Sequence, residues 1–193
     1  MDALSAAQLG ADAVGLVFYP PSPRAITIEK ARAITDVLPP FVTSVALFVN
    51  PEPAFVEEVV NALPIDLLQF HGEEEPTECE RYGRPYIKAV RMREGTDLSE
   101  EMKRFSRARA LLLDTYRAGK QGGTGETFDW RLVPRERSLP LILAGGLEPG
   151  NVREAIRMVE PFAVDVSGGV ESAKGIKDAD KMERFIFEVN GGG

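Results

Sequence analysis

Seven short apolar runs recur along this chain, separated by segments in which apolar residues return at helical spacing. That alternation restricts the available folds more than any other feature of the sequence. The runs are Ala13–Phe18, Ser44–Val49, Asp66–Phe70, Tyr86–Val90, Ala110–Asp114, Pro140–Ala144 and Ala163–Val166. Their near-continuous hydrophobicity marks strands buried on both faces, as in a parallel sheet covered by helices. Between them, Phe55/Val56/Val59/Val60/Leu63 and Val152/Ala155/Ile156/Val159 carry the i, i+3, i+4, i+7 stripe of helices with one buried face. Met182/Phe185/Ile186/Val189 repeats it, and Asp2 to Leu9, closed by Gly10, reads as a helix ahead of the first run.

A doubly wound open sheet usually carries a glycine-rich fingerprint after its first strand. Here the first run leads instead into Tyr19-Pro20-Pro21-Ser22-Pro23-Arg24, a rigid proline-rich loop. The reading is therefore α/β, a (β/α)8 TIM barrel forming a single domain over residues 1–193. Such barrels typically take about 250 residues, with about 200 near the lower limit, and closure gives every strand two neighbours. With seven runs and a helix first, the chain reads as N-terminally shortened, its first β-strand missing. Two sheet edges would then lie open, a geometry that invites self-association, and a monomer or a homodimer is expected.

The balance of 44% hydrophobic and 27% charged residues supports a folded core. No stretch approaches the ~18 continuous apolar residues of a membrane span. The start, Met1-Asp2-Ala3-Leu4-Ser5, lacks both a basic n-region and a cleavable apolar segment, so a cytoplasmic protein is expected. A net charge of −7 argues against nucleic acid or an anionic membrane as partner, since either would favour a basic face. The one cysteine, Cys79, excludes an internal disulfide, and with a single histidine, His71, no Cys/His metal site is expected.

Two successive runs end in glycine pairs: Leu143-Ala144-Gly145-Gly146-Leu147 and Val164-Asp165-Val166-Ser167-Gly168-Gly169-Val170. Glycines at adjacent strand ends leave backbone N–H groups able to converge on one dianion. In (β/α)8 barrels a phosphate commonly sits in the loops after the last two strands. A phosphorylated small molecule is the expected substrate.

Laid out in order, the motifs G-A-D-A-V-G-L-V-F-Y-P-P-S-P-R (10–24), L-P-P-F-V (38–42), L-F-V-N (47–50) and L-L-Q-F-H-G (67–72) continue collinearly. They run on through L-L-L-D-T-Y (111–116), G-G-T-G-E-T-F-D-W (122–130), L-A-G-G-L-x-P-x-N-V (143–152) and D-V-S-G-G-V-E (165–171). In these segments the chain resembles the phosphoribosylanthranilate isomerase family of tryptophan biosynthesis over essentially its whole length. The resemblance implies an Amadori rearrangement of N-(5-phosphoribosyl)anthranilate, an aminoaldose, to the corresponding aminoketose, with no cofactor and no metal. Such chemistry needs a general acid at the furanose ring oxygen and a general base at the C2 proton, each typically worth ~10²–10⁴ in rate. The family's acid, an aspartate ending the strand that is sixth in a full barrel, falls on Asp114. Burial at the end of an apolar strand disfavours the charged form of a carboxyl, which suits that role.

The family's base, a cysteine ending the first strand in a K-I-C-G-like motif, has no counterpart in this sequence, and severely reduced turnover is expected on that account. Cys79, in Pro76-Thr77-Glu78-Cys79-Glu80-Arg81, reads as an inert residue of an outer helix. The resemblance places Arg24 near the anthranilate carboxylate, for which a planar guanidinium is suited. Three features keep two readings each. Gly122-Gly123-Thr124-Gly125 is a lid over the site or a plain connection; Asp165 organises the site or anchors backbone; His71, ending Q-F-H-G, binds substrate or only makes structural hydrogen bonds. Trp130 reads as core at the start of a helix. Two competing functions stand beside the isomerase: an inactive or weakly active barrel remnant that binds phosphorylated ligands, and another phosphate-binding barrel enzyme of the tryptophan or histidine pathways. Against the last, no second aspartate stands at a matching strand end, as the histidine-pathway enzymes need, and no lysine ends a strand run, as an indole-forming synthase would need.

Overall fold

The computed structural model describes residues 2–93, 95–115 and 128–191. Parallel strands β1 to β7 neighbour one another in chain order, with helices between them, which is the topology of the (β/α)8 barrel. The chain divides into two compact units, Met1–Ile87 and Lys88–Gly193, and β4 (Tyr86–Met92) crosses the division.

In the first unit, α1 (Asp2–Leu9) stops at Gly10, whose φ of +110° lies outside the range favoured by residues with a Cβ. The Gly10 N–H donates to Ala7 O at 3.1 Å and the Ala11 N–H to Ala6 O at 3.0 Å, satisfying carbonyls that the last helical turn leaves open. β1 (Ala13–Val17) pairs with β2 (Thr43–Phe48), Leu16 opposite Ala46, and β2 pairs with β3 (Leu67–Phe70). Among the described residues no strand precedes α1, so β1 has β2 as its one neighbour; Ala13 and Gly15 are exposed.

α2 (Ile28–Thr35) begins at Thr27, whose hydroxyl accepts the Lys30 N–H. α3 (Pro53–Ala62) begins on proline, whose fixed φ suits a first helical turn, and buries Val56 and Val59 of the expected stripe. The core of this unit includes a row of rings near the C-terminal ends of β1 to β3. Phe18 stacks on Phe48 at 5.6 Å, Phe48 on Phe70 at 6.1 Å, and Phe70 on Tyr82 at 6.0 Å. α4 (Pro76–Glu80) is opened by a reciprocal cap between Glu75 and Glu78 and encloses Cys79 completely, as expected of an inert helix cysteine.

The second unit is built on β5 (Ala110–Thr115), where Leu111, Leu112 and Leu113 are all at most 1% exposed. β5 pairs with β6 (Leu141–Leu143), and β6 with β7 (Ala163–Val164). α5 (Leu98–Arg104) is capped by Asp97, which accepts from Ser99 N and Glu100 N. α6 (Val152–Val159) buries Val152, Ala155 and Val159, and α7 (Ala179–Val189) buries Met182 and Phe185, matching the sequence periodicity.

A two-stranded antiparallel hairpin, β8 (Glu171–Ala173) and β9 (Ile176–Lys177), follows the second glycine pair and had no counterpart in the expectations. Trp130 lies in a 3-10 turn, Trp130–Leu132, and is half-buried, where a helical core position was expected. Pro134 stands just beyond the turn and cannot supply the N–H that would extend it. No helix among the described residues is long and apolar enough to cross a membrane.

Candidate active site

β5 is apolar up to Leu113 and ends in Asp114-Thr115, so a carboxyl is delivered to the C-terminal rim of the sheet by a buried strand. Asp114 is 6% exposed, and its Oδ1 accepts the Thr115 N–H at 2.9 Å. The chain leaving the neighbouring strand β6 passes directly against it. Gly145 has φ +79°, and a Cβ there would overlap Thr115 Oγ1 and lie 2.5 Å from Thr115 N and 2.8 Å from Asp114 Oδ1. Conformation and space both exclude a side chain at this position.

Gly146 also lies in the left-handed region, at φ +69°. The Asn151 side chain fastens the loop that follows: Nδ2 donates to Gly146 O at 2.9 Å, and Oδ1 accepts from Glu148 N at 2.9 Å. On the far side of that loop comes the segment after β7. A Cβ on Gly169 would overlap the Leu147 carbonyl oxygen and lie 2.9 Å from its carbon. The loops that carry the two glycine pairs thus meet at Gly169 and Leu147, and Gly145 of the first touches Asp114. No described residue accepts a hydrogen bond from the amides of Gly145, Gly146, Gly168 or Gly169. Amides in that condition at adjacent strand ends suit an anionic ligand.

Asp165 extends the β6/β7 ladder by donating its N–H to Leu143 O at 2.8 Å, and its side chain is exposed. The Ser167 carbonyl accepts Lys177 Nζ at 2.8 Å.

Arg24 and His71 belong to the first unit, each beyond the C-terminal end of a strand. The proline-rich loop after β1 closes as two tight turns, Ser22 N to Tyr19 O and Ala25 N to Ser22 O, with Ser22 Oγ accepting the Arg24 N–H at 3.1 Å. His71 follows β3; its N–H donates to Phe48 O at 2.8 Å, and Nδ1 lies 3.3 Å from Gln69 Nε2. When the buried Gln69 amide donates, Nδ1 accepts and the neutral ring carries its proton on Nε2.

Beside His71 is a clamp that sequence reasoning missed. Glu74 is 5% exposed; its carboxylate accepts Asn50 N at 2.7 Å and Gly72 N at 2.9 Å, while Asn50 Oδ1 accepts Glu73 N at 2.7 Å. Asn50 has φ +46°, and a Cβ on Gly72 would overlap its side-chain oxygen and lie 2.7 Å from its backbone N. Asparagine tolerates the left-handed region better than most residues, which was the available signal in Asn50-Pro51 and Gly72-Glu73-Glu74. The Gly122–Gly125 lid expectation falls outside the described residues.

Residues 1–188 match the family described as N-(5'phosphoribosyl)anthranilate (PRA) isomerase. A protein of Pseudomonas putida (strain W619) called N-(5'-phosphoribosyl)anthranilate isomerase is 60% identical over 188 residues, which are 97% of this chain and 91% of the relative. The crystal structure of phosphoribosyl anthranilate isomerase from Thermotoga maritima aligns with a TM-score of 0.90 at 43% identity, covering 98% of this chain and 93% of that one. A crystal structure of phosphoribosyl anthranilate isomerase in complex with reduced 1-(o-carboxyphenylamino)-1-deoxyribulose 5-phosphate aligns at 0.86 and 42% identity, with the same coverage.

Proposed function

The chain belongs to the N-(5'-phosphoribosyl)anthranilate isomerase family, and from that premise we propose that it catalyses the Amadori rearrangement of N-(5-phosphoribosyl)anthranilate in tryptophan biosynthesis. The product is 1-(2-carboxyphenylamino)-1-deoxyribulose 5-phosphate, the aminoketose isomer of the substrate. The carrying observation is the packing of Gly145 against the Asp114 carboxyl group, which supports reading Asp114 as a proton-handling group beside a glycine-rich anion site.

In this reading the amides of Gly145, Gly146, Gly168 and Gly169 hold the phosphate, with Ser167 and Asp165 shaping the same loop. Asp114 gives its proton to the furanose ring oxygen, the C1–O bond breaks, and the nitrogen lone pair forms the iminium. With no counterpart of the family's cysteine base in this chain, the C2 proton passes to water, its C–H electron pair forms the C1=C2 bond while the iminium pair returns to nitrogen, and the resulting enolamine tautomerises to the ketone. Arg24 is assigned to the anthranilate carboxylate and His71 to a polar contact with substrate. The reading also takes residues 1–193 as one cytoplasmic domain, monomeric or homodimeric, without nucleic acid among its partners.

The test supplies anthranilate and phosphoribosyl pyrophosphate through the preceding pathway enzyme and follows the aminoketose phosphate chromatographically. Product that appears with this chain and is lost with Asp114→Asn supports the proposal. Tight binding of the product without turnover favours the barrel remnant instead.

A further inference from the structure

The hairpin that follows the second glycine pair ends in a lysine turned back on the loop it left. Lys177 Nζ donates to Ser167 O at 2.8 Å and pairs with Glu171 Oε1 at 3.3 Å. The Glu171 side chain is 6% exposed and that of Lys177 25%, so the pair is largely shielded from water. The frame around it is fastened at both ends. Lys181 Nζ donates to Glu171 O at 2.8 Å, Asp178 N to Val170 O at 2.9 Å, and the Asp178 side chain caps α7 through Lys181 N at 3.1 Å.

The carbonyl that Lys177 holds and the Gly168 N–H belong to one planar trans peptide and point in opposite directions. A cation on the oxygen therefore fixes the direction of that N–H. It also draws electron density toward oxygen, making the N–H a better donor; hydrogen bonds to ionised groups are the shorter and stronger class. Because Glu171 balances the ammonium charge, Lys177 acts on this loop chiefly through orientation.

We propose that Lys177 is a positioning residue for phosphate recognition, holding the Ser167–Gly168 peptide so that the Gly168 amide faces the phosphate group of the ligand. This rests on the reading of the glycine-rich loop as the phosphate site.

The experiment titrates inorganic phosphate, and separately anthranilate, into the wild type, Lys177→Met and Lys177→Arg by calorimetry. The Gly168 amide is followed by NMR in the same samples. Lys177→Met is expected to weaken phosphate about tenfold, shift the Gly168 amide resonance and leave anthranilate affinity in place. Lys177→Arg, which keeps a cation at the carbonyl, is expected to stay within about threefold of the wild type. If Lys177→Met does not hold its fold, Lys177→Gln takes its place, with at least threefold weakening expected. Unchanged phosphate affinity in folded Lys177→Met or folded Lys177→Gln overturns the role of Lys177 and leaves the loop assignment standing. Equal losses for phosphate and anthranilate identify a merely structural lysine and also overturn it. A wild type that binds no phosphate overturns both this inference and the loop assignment.

Discussion

Two glycines of this chain stand in opposite circumstances. Gly145 combines φ +79° with Asp114 Oδ1 only 2.8 Å from where a Cβ would sit, whereas Gly15 has nothing within 4 Å of that point and no positive φ. Gly145→Ala is expected to lose about 1–3 kcal/mol in urea unfolding and to weaken phosphate binding, because the loop must move away from Asp114. Gly15→Ala should gain about 0.4–1 kcal/mol, since alanine lowers the entropy of the unfolded chain at no steric cost. Equal effects at the two sites would contradict the packing described for the loop. Asp114→Asn removes a proton donor while nearly preserving shape, so kcat should fall by about 10²–10⁴ in steady-state assays with little change in Tm. The apolar run ending in Asp114 was legible in the sequence. Its contact with Gly145 was not, because Asp114 closes β5 while Gly145 lies just beyond β6, and they meet only through the β5/β6 pairing.

At the level of elements, the loops after β2 and β3 are joined by buried polar chemistry. Glu74 accepts from Asn50 N and Gly72 N, and alanine at position 74 would strip both amides of that partner. Glu74→Ala is expected to cost about 1–3 kcal/mol, read from urea midpoints at unchanged slope. A neutral result would mean that water takes over both amides. The seven apolar runs all became strands, with ends within about two residues of those read from alternation and breakers, as is usual for strongly patterned segments. The β8/β9 hairpin escaped notice because Glu171–Ala173 and Ile176–Lys177 are too short and too polar to show a periodicity of two. Trp130 misled for a related reason. Its place at the start of an expected helix pointed to core, but the proline at 134 leaves room for only a short turn.

For the molecule as a whole, β1 and β7 are the two end strands of the seven-stranded sheet among the described residues, and β1 is the one carrying exposed positions. Among the described residues it has β2 alone as a sheet neighbour, and Ala13 on it is exposed. Edge strands of this kind promote pairing between chains, and a lysine placed on them opposes it. Ala13→Lys is therefore expected to lower any rise of light-scattering mass with concentration that the wild type shows. A rise that is the same in both proteins would mean that β1 takes no part in self-association.

Periodicity and strand-end composition are local properties, carried by neighbours in the chain. They were enough to reveal the alternating parallel architecture, the two glycine pairs and the carboxyl closing β5, and the collinear motifs were enough to suggest the family. Other features are partnerships between residues distant along the chain: Glu74 with Asn50, Gly169 against Leu147, and Lys177 on the Ser167 carbonyl. Each depends on how strands and loops come to rest against one another. Backbone groups leaving the strand ends must find donors and acceptors in three dimensions, and no spacing in the sequence encodes which ones they find.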